Sequence, residues 1–211
     1  KKIASKKYCI SLRTVPFQGV IKHIHPLIHG KPDAVRDPSL VQFKCQNLKE
    51  GRIILGIDPG TTVMGYGLIY DHDRKPELIT LGALELGKIK DHFVRLRKIF
   101  NYTSDLIDRY HPDELAIESP FYGKNIQSML KLGRAQGVAI SAALSKDLPI
   151  FEYAPRKIKM AITGVGSASK EQVATLLEKL LSIKEMPSKL DATDGLAVAV
   201  CHYYQKELPS S

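Results

Sequence analysis

Four carboxylates stand where acids are conspicuous: Asp58, Glu118, Asp191 and Asp194. Asp58 closes the apolar run Ile53-Ile54-Leu55-Gly56-Ile57 and is followed by Pro59-Gly60-Thr61-Thr62. Burying a lone carboxylate is costly unless a metal, a partner or solvent compensates it. Asp-Pro-Gly is also good turn chemistry, so Asp58 taken alone reads equally as a turn residue. Glu118 closes Leu115-Ala116-Ile117 in the same way. Asp191-Ala192-Thr193-Asp194-Gly195 opens a helical pattern, and a separation of three puts both carboxylates on one face near a helix N-terminus, where negative charge is favoured. That pair taken alone reads as helix capping. Four carboxylates brought together repel one another unless divalent cations neutralise them, and all-oxygen donors suit Mg²⁺ or Mn²⁺ rather than Zn²⁺. Two such ions about 3.5–4 Å apart activate a water and stabilise the departing oxygen of a phosphodiester in an in-line displacement.

Bringing the acids together requires particular elements. The first strand, 53–58, turns at Gly60 and returns as Val63–Ile69, with Gly65 helping the hairpin and Gly67 admitting DNA or a neighbouring backbone. Glu77–Leu86 alternates as a third strand. Phe93, Leu96, Ile99, Phe100, Leu106, Ile107 and Tyr110 recur at steps of three and four, a helix ending before His111-Pro112. Leu115–Glu118 is a fourth strand. A long helix runs from Asn125 to about Lys146, where Gly133 and Gly137 permit close approach by another backbone. Ile150–Tyr153 is a fifth strand, residues 155–162 a short basic helix, and Gly164–Ala168 a loop. Ser169-Lys170-Glu171-Gln172 is a capping box opening a helix with Val173, Leu176, Leu177 and Leu180 on its inner face. The last helix begins near Asp191 and buries Leu196, Val198, Ala199 and Tyr203. The order βββαβαβα(α)α predicts an α/β fold, a mixed five-stranded sheet flanked by helices on both faces. In such a sheet the first and fourth strands lie side by side, and their acid-bearing ends face the helix carrying the other two acids.

The 211 residues, 44% hydrophobic, fit one domain of ordinary size and something extra. No apolar run approaches the roughly 20 residues of a membrane-spanning helix, and the N-terminus lacks a signal-peptide core, so a cytoplasmic protein with no membrane partner is expected. Cys9, Cys45 and Cys201 form no CxxC pair and are expected to be free thiols. The net charge of +9 favours polyanionic partners. Residues 1–50 hold ten Lys/Arg against three acids, and the rest of the chain carries a net of only +2. The first quarter shows no periodicity and is broken by Pro16, Pro26, Pro32 and Pro38. His23, His25 and His29 lie there without an acid or cysteine at ligand spacing, and a metal site is not expected. The division expected is 1–51 as a poorly ordered basic extension and 52–206 as the folded domain.

The chain from Arg52 to about His202 closely resembles the RuvC family, bacterial Holliday junction resolvases with a ribonuclease-H-like fold. The resemblance rests on Gly56-Ile57-Asp58-Pro59-Gly60 with Gly65-Tyr66-Gly67, Ile117-Glu118 followed by Phe121, Lys131-Leu132-Gly133-Arg134-Ala135-Gln136-Gly137-Val138-Ala139, Tyr153-Ala154-Pro155, Gly164–Ala168, and Asp191–Ala197, in the family's order and spacing. It implies that Asp58, Glu118, Asp191 and Asp194 are catalytic and metal-binding, with two Mg²⁺ ions per subunit and Mn²⁺ able to substitute. It implies that Phe121 sits near the junction centre, where an aromatic stacks on an unpaired base, with Tyr122 able to share that work. Lys159 and Lys170 match lysines of the family's DNA-facing surface, and Arg156 and Lys157 lie close enough to add phosphate contacts. The partners implied are four-way junction DNA, a second copy of the chain in a homodimer, for which the helix with Gly133 and Gly137 is the candidate interface, and the RuvA and RuvB branch-migration complex.

Residues 1–51 depart from the family pattern. The absence of Met before Met64, the change of texture at Arg52 and the position of Leu48 motivate the expectation that they are upstream reading frame; an intact mass spanning all 211 residues in the natively expressed protein would sink it. Two alternatives remain. An actin-like ATP-binding protein also carries Asp-x-Gly-Thr-Thr but needs two such domains, and a non-catalytic junction-binding protein would not need four acids. The Gly164–Lys170 loop lacks the order of a nucleotide-binding phosphate loop.

Overall fold

The computed structural model describes residues 51–73, 75–120, 125–184 and 190–207. The expectations for the basic first quarter, Phe121 and Tyr122 therefore fall outside the described residues. Strand β1 (Arg52–Asp58) pairs antiparallel with β2 (Val63–His72), and β2 pairs antiparallel with β3 (Lys75–Glu85). Strand β4 (Glu114–Glu118) lies parallel to β1, and β5 (Ile150–Tyr153) parallel to β4, so the sheet order is β3-β2-β1-β4-β5. The expected adjacency of the first and fourth strands is what the sheet contains.

Side chains alternate along β1, and the two faces receive different cores. Ile54 joins Ile69, Ala116, Ile158, Leu177 and Leu196 on the face covered by α3 (Pro155–Thr163), α4 (Lys170–Leu180) and α5 (Asp191–Glu207). Leu55 and Ile57 join Leu68, Leu115, Ile99, Leu106 and Ala139 on the face covered by α1 (His92–Tyr110) and α2 (Ile126–Leu144). The helix boundaries follow local chemistry. Asp91 caps α1 by accepting from the Val94 amide at 2.9 Å, and His111 ends the helix in the left-handed conformation at φ 45° just before Pro112. The capping box of Ser169 and Gln172 is formed as expected at α4.

Helix α5 lies against the sheet in backbone-to-backbone contact. A Cβ at Gly65 would fall on the Asp191 carbonyl oxygen, one at Gly67 on the backbone of Leu196, and one at Gly56 on the Gly195 carbonyl. Gly195 in turn meets the backbone of Tyr66. Gly65 is thus a seat for the last helix rather than the hairpin residue the sequence suggests; Gly60, whose Cβ would strike the Val63 carbonyl, serves the turn. The other end of α5 is held by a buried polar chain. The Tyr153 hydroxyl lies 2.6 Å from His202 Nδ1, and His202 Nε2 lies 2.7 Å from Glu114 Oε2. Arg52 joins it, donating to Glu114 at 3.4 Å and to Asp71 at 2.7 Å.

Candidate active site

Asp58 and Glu118 are the last residues of neighbouring parallel strands, where Ile57 pairs with Ile117, so the two acids emerge at the same edge. Asp58 also pairs with Gly65, the residue on which the Asp191 carbonyl rests. The glycine seat therefore sets the first turn of α5, and with it Asp191 and Asp194, over the end of β1. The backbone of Glu118 is tied from behind by α2, where the buried Gln136 side chain donates to the Glu118 carbonyl at 3.3 Å.

Electrostatics record the crowding. Burial, then the charge of Asp194, raises Asp58 from the ordinary 3.8 to about 6, against the opposing influence of Lys170. Burial, then Asp58 and Asp194, raises Glu118 from 4.5 to about 8, against Lys170 and Lys159. Asp194 is also raised, chiefly by burial, although Lys170 pulls it the other way. Lys170 supplies the local counter-charge, its Nζ 2.5 Å from Asp194 Oδ2 and 4.0 Å from Asp191 Oδ1. Its own pKa is raised because the hydrogen bond and charges of these acids outweigh its burial.

Carboxylates that burial and mutual repulsion hold partly protonated are those a divalent cation would relieve, and oxygen donors match a hard ion. The side chains fit such an ion by chemistry. Among the described residues no three of them converge on one point as they stand, and an ion taking Asp194 competes with the Lys170 ammonium.

The remaining expected DNA contacts lie nearby or beyond description. Lys159 on α3 is near enough to act on Glu118 and Asp194. Arg156 lies with its side-chain stem over Gly166, where a Cβ would meet it at 2.6 Å. Lys157 lies with its ammonium 5.3 Å from the centre of the Tyr153 ring. Among the described residues, and apart from its own helix, nothing lies within 4 Å of where a Cβ at Gly133 or Gly137 would stand. The contact of Gln136 with Glu118 is not legible in the sequence, since an amide within a helical repeat carries no signal of which carbonyl it meets.

The mixed sheet with acids at the ends of β1 and β4, faced by acids on the last helix, is the architecture of ribonuclease-H-like nucleases. Comparison with known proteins narrows the class. The sequence profile of the family described as crossover junction endodeoxyribonuclease RuvC matches residues 54–202, and the chain belongs to that family. It is similar to the crossover junction endodeoxyribonuclease RuvC of Christiangramia forsetii, with 64% identity over 157 residues, 74% of this chain and 82% of the relative. Among solved structures it resembles Thermus thermophilus RuvC, with TM-score 0.67 and 28% identity over 74% of this chain and 95% of that one. It likewise resembles T. thermophilus RuvC in complex with Holliday junction substrate, with TM-score 0.66 and 26% identity over 75% and 96% of the two chains.

Proposed function

We propose that the protein resolves Holliday junctions by symmetric, metal-dependent hydrolysis of phosphodiesters in two opposing DNA strands during recombination and repair. The observation that carries this reading is the meeting of Asp58 and Glu118, at adjacent strand ends, with the acid-bearing first turn of α5. Asp58, Glu118, Asp191 and Asp194 would hold Mg²⁺, two ions per subunit with Mn²⁺ able to substitute. Bound there, the ions supply activation of a water and stabilisation of the departing oxygen. Lys170 limits repulsion among the acids and stands ready to meet a phosphate, and Lys159 and Arg156 add positive charge along α3. Phe121 and Tyr122, three and four residues beyond Glu118, are assigned to stacking at the junction centre.

The working form is a homodimer joined through α2. Ile126, Leu130 and Leu144 are 69%, 52% and 61% exposed, and with Gly133 and Gly137 they form one stripe at helical spacing. A stripe of that kind favours a second copy, which would set two sites across a two-fold junction. The nuclease domain spans residues 52–206, works in the cytoplasm and receives junctions from RuvA and RuvB.

The test is incubation with a synthetic four-way junction and Mg²⁺, with Asp58→Asn as control. Paired symmetric nicks are expected from the native protein and none from the variant; nicking that survives the substitution contradicts the reading.

A further inference from the structure

Arg95, in the first turn of α1, directs each of its three guanidinium nitrogens at a backbone carbonyl. Nε donates to Ile89 at 2.5 Å, Nη1 to Thr61 at 3.0 Å and Nη2 to Gly87 at 3.4 Å. Ile89 and Gly87 belong to the connection between β3 and α1, and Thr61 to the turn three residues beyond Asp58. The same two loops are joined by the Leu86 amide donating to the Thr62 carbonyl at 2.8 Å. The Thr61 carbonyl lies between two strands, and a turn carbonyl of this kind needs a donor from elsewhere. A planar guanidinium presents donors in fixed directions and specifies where three acceptors stand, whereas an ammonium is a single point.

We propose that Arg95 is a positioning residue for cleavage: it clamps the turn following β1 to the loop preceding α1 and so fixes Asp58 relative to Glu118 and α5. The proposal rests on the reading of Asp58 as a metal-binding acid. Arg95 touches none of the four acids, so its effect passes through the backbone of the turn. Displacing a catalytic group by about 1 Å costs up to about 100-fold in rate.

The test measures single-turnover cleavage and equilibrium junction binding for Arg95→Lys and Arg95→Ala in the full chain, with Mg²⁺ titrated. The expected result is a rate about 10- to 100-fold lower in both variants, an increased Mg²⁺ concentration for half-maximal rate, unchanged junction affinity, and partial recovery of Arg95→Ala by millimolar guanidinium. Wild-type rates, or equal loss of rate and binding, overturn the proposal. Arg95→Lys keeps the stem and charge and decides the matter if Arg95→Ala does not fold. Asp58→Asn run in parallel separates the two readings: wild-type cleavage by that variant removes Asp58 from the chemistry, whereas its inactivity beside an unaffected Arg95→Lys removes only the clamp.

Discussion

Glu118 and Asp58 are acids whose protons the fold retains. Burial and mutual repulsion raise them from 4.5 and 3.8 to about 8 and about 6, so in the metal-free folded state they hold protons that the unfolded chain has released. Where the folded state binds more protons, stability falls with rising pH, here across the window between those ordinary and raised values. Glu118→Gln removes the larger part of this strain. At pH 8 in EDTA its melting temperature is expected to exceed that of the native protein, by the equivalent of about 1–2 kcal/mol after allowance for solvent screening. An unchanged or lower melting temperature would show that Glu118 is not strained by ionisation. In the proposed metal site, Mg²⁺ would need the same carboxylates deprotonated, so thermal stabilisation by Mg²⁺, read by calorimetry, is expected to be larger at pH 8 than at pH 5.

At the scale of elements, the seat of α5 is the structural decision on which the site depends. Gly65→Ala forces a methyl onto the Asp191 carbonyl, and backbone cannot yield as a flexible side chain does. The expected cost is about 1–3 kcal/mol in denaturant unfolding, typical of overpacking, together with loss of cleavage because the first turn of α5 is displaced. Full activity and stability in that variant would mean that the helix is not held by the seat. The opposite end of α5 makes an independent comparison. An ionised carboxylate only accepts hydrogen bonds, so the Glu114 contact selects the His202 tautomer protonated on Nε2, leaving Nδ1 to accept from Tyr153. His202→Leu strands these partners and is expected to destabilise by about 1–3 kcal/mol while the rate per folded molecule stays near native. A native melting temperature in His202→Leu would contradict a structural role for the chain of bonds.

For the whole molecule, the homodimer proposed through the exposed stripe on α2 would set how many sites meet one junction. Leu130→Glu adds charge at a position 52% exposed and should leave the monomer's fold intact. Sedimentation is expected to show a shift from dimer to monomer, with paired nicking replaced by slow, uncoordinated single nicks. A dimer unchanged by the substitution would move the interface elsewhere. Among the described residues no helix is long and apolar enough to cross a membrane.

Periodicity and end signals made most of the architecture readable before any coordinates. The strand ends at Asp58 and Glu118, the capping box at Ser169 and the acids opening α5 are local features, written in consecutive residues, and the resemblance built on them reached the right family. Arg95, Gln136 and His202 escaped the sequence reading because their partners are carbonyls and side chains far along the chain, and a polar residue in a helix does not announce where its donors point. Gly65 escaped for a related reason: a glycine looks alike whether it eases a hairpin or admits a helix. Asp58 in its local sequence fits a turn residue as well as a member of a charged cluster. Residue order supplied the candidates, but only the packing of α5 onto the glycine edge of β1 and β2 brought four separated acids into one electrostatic environment.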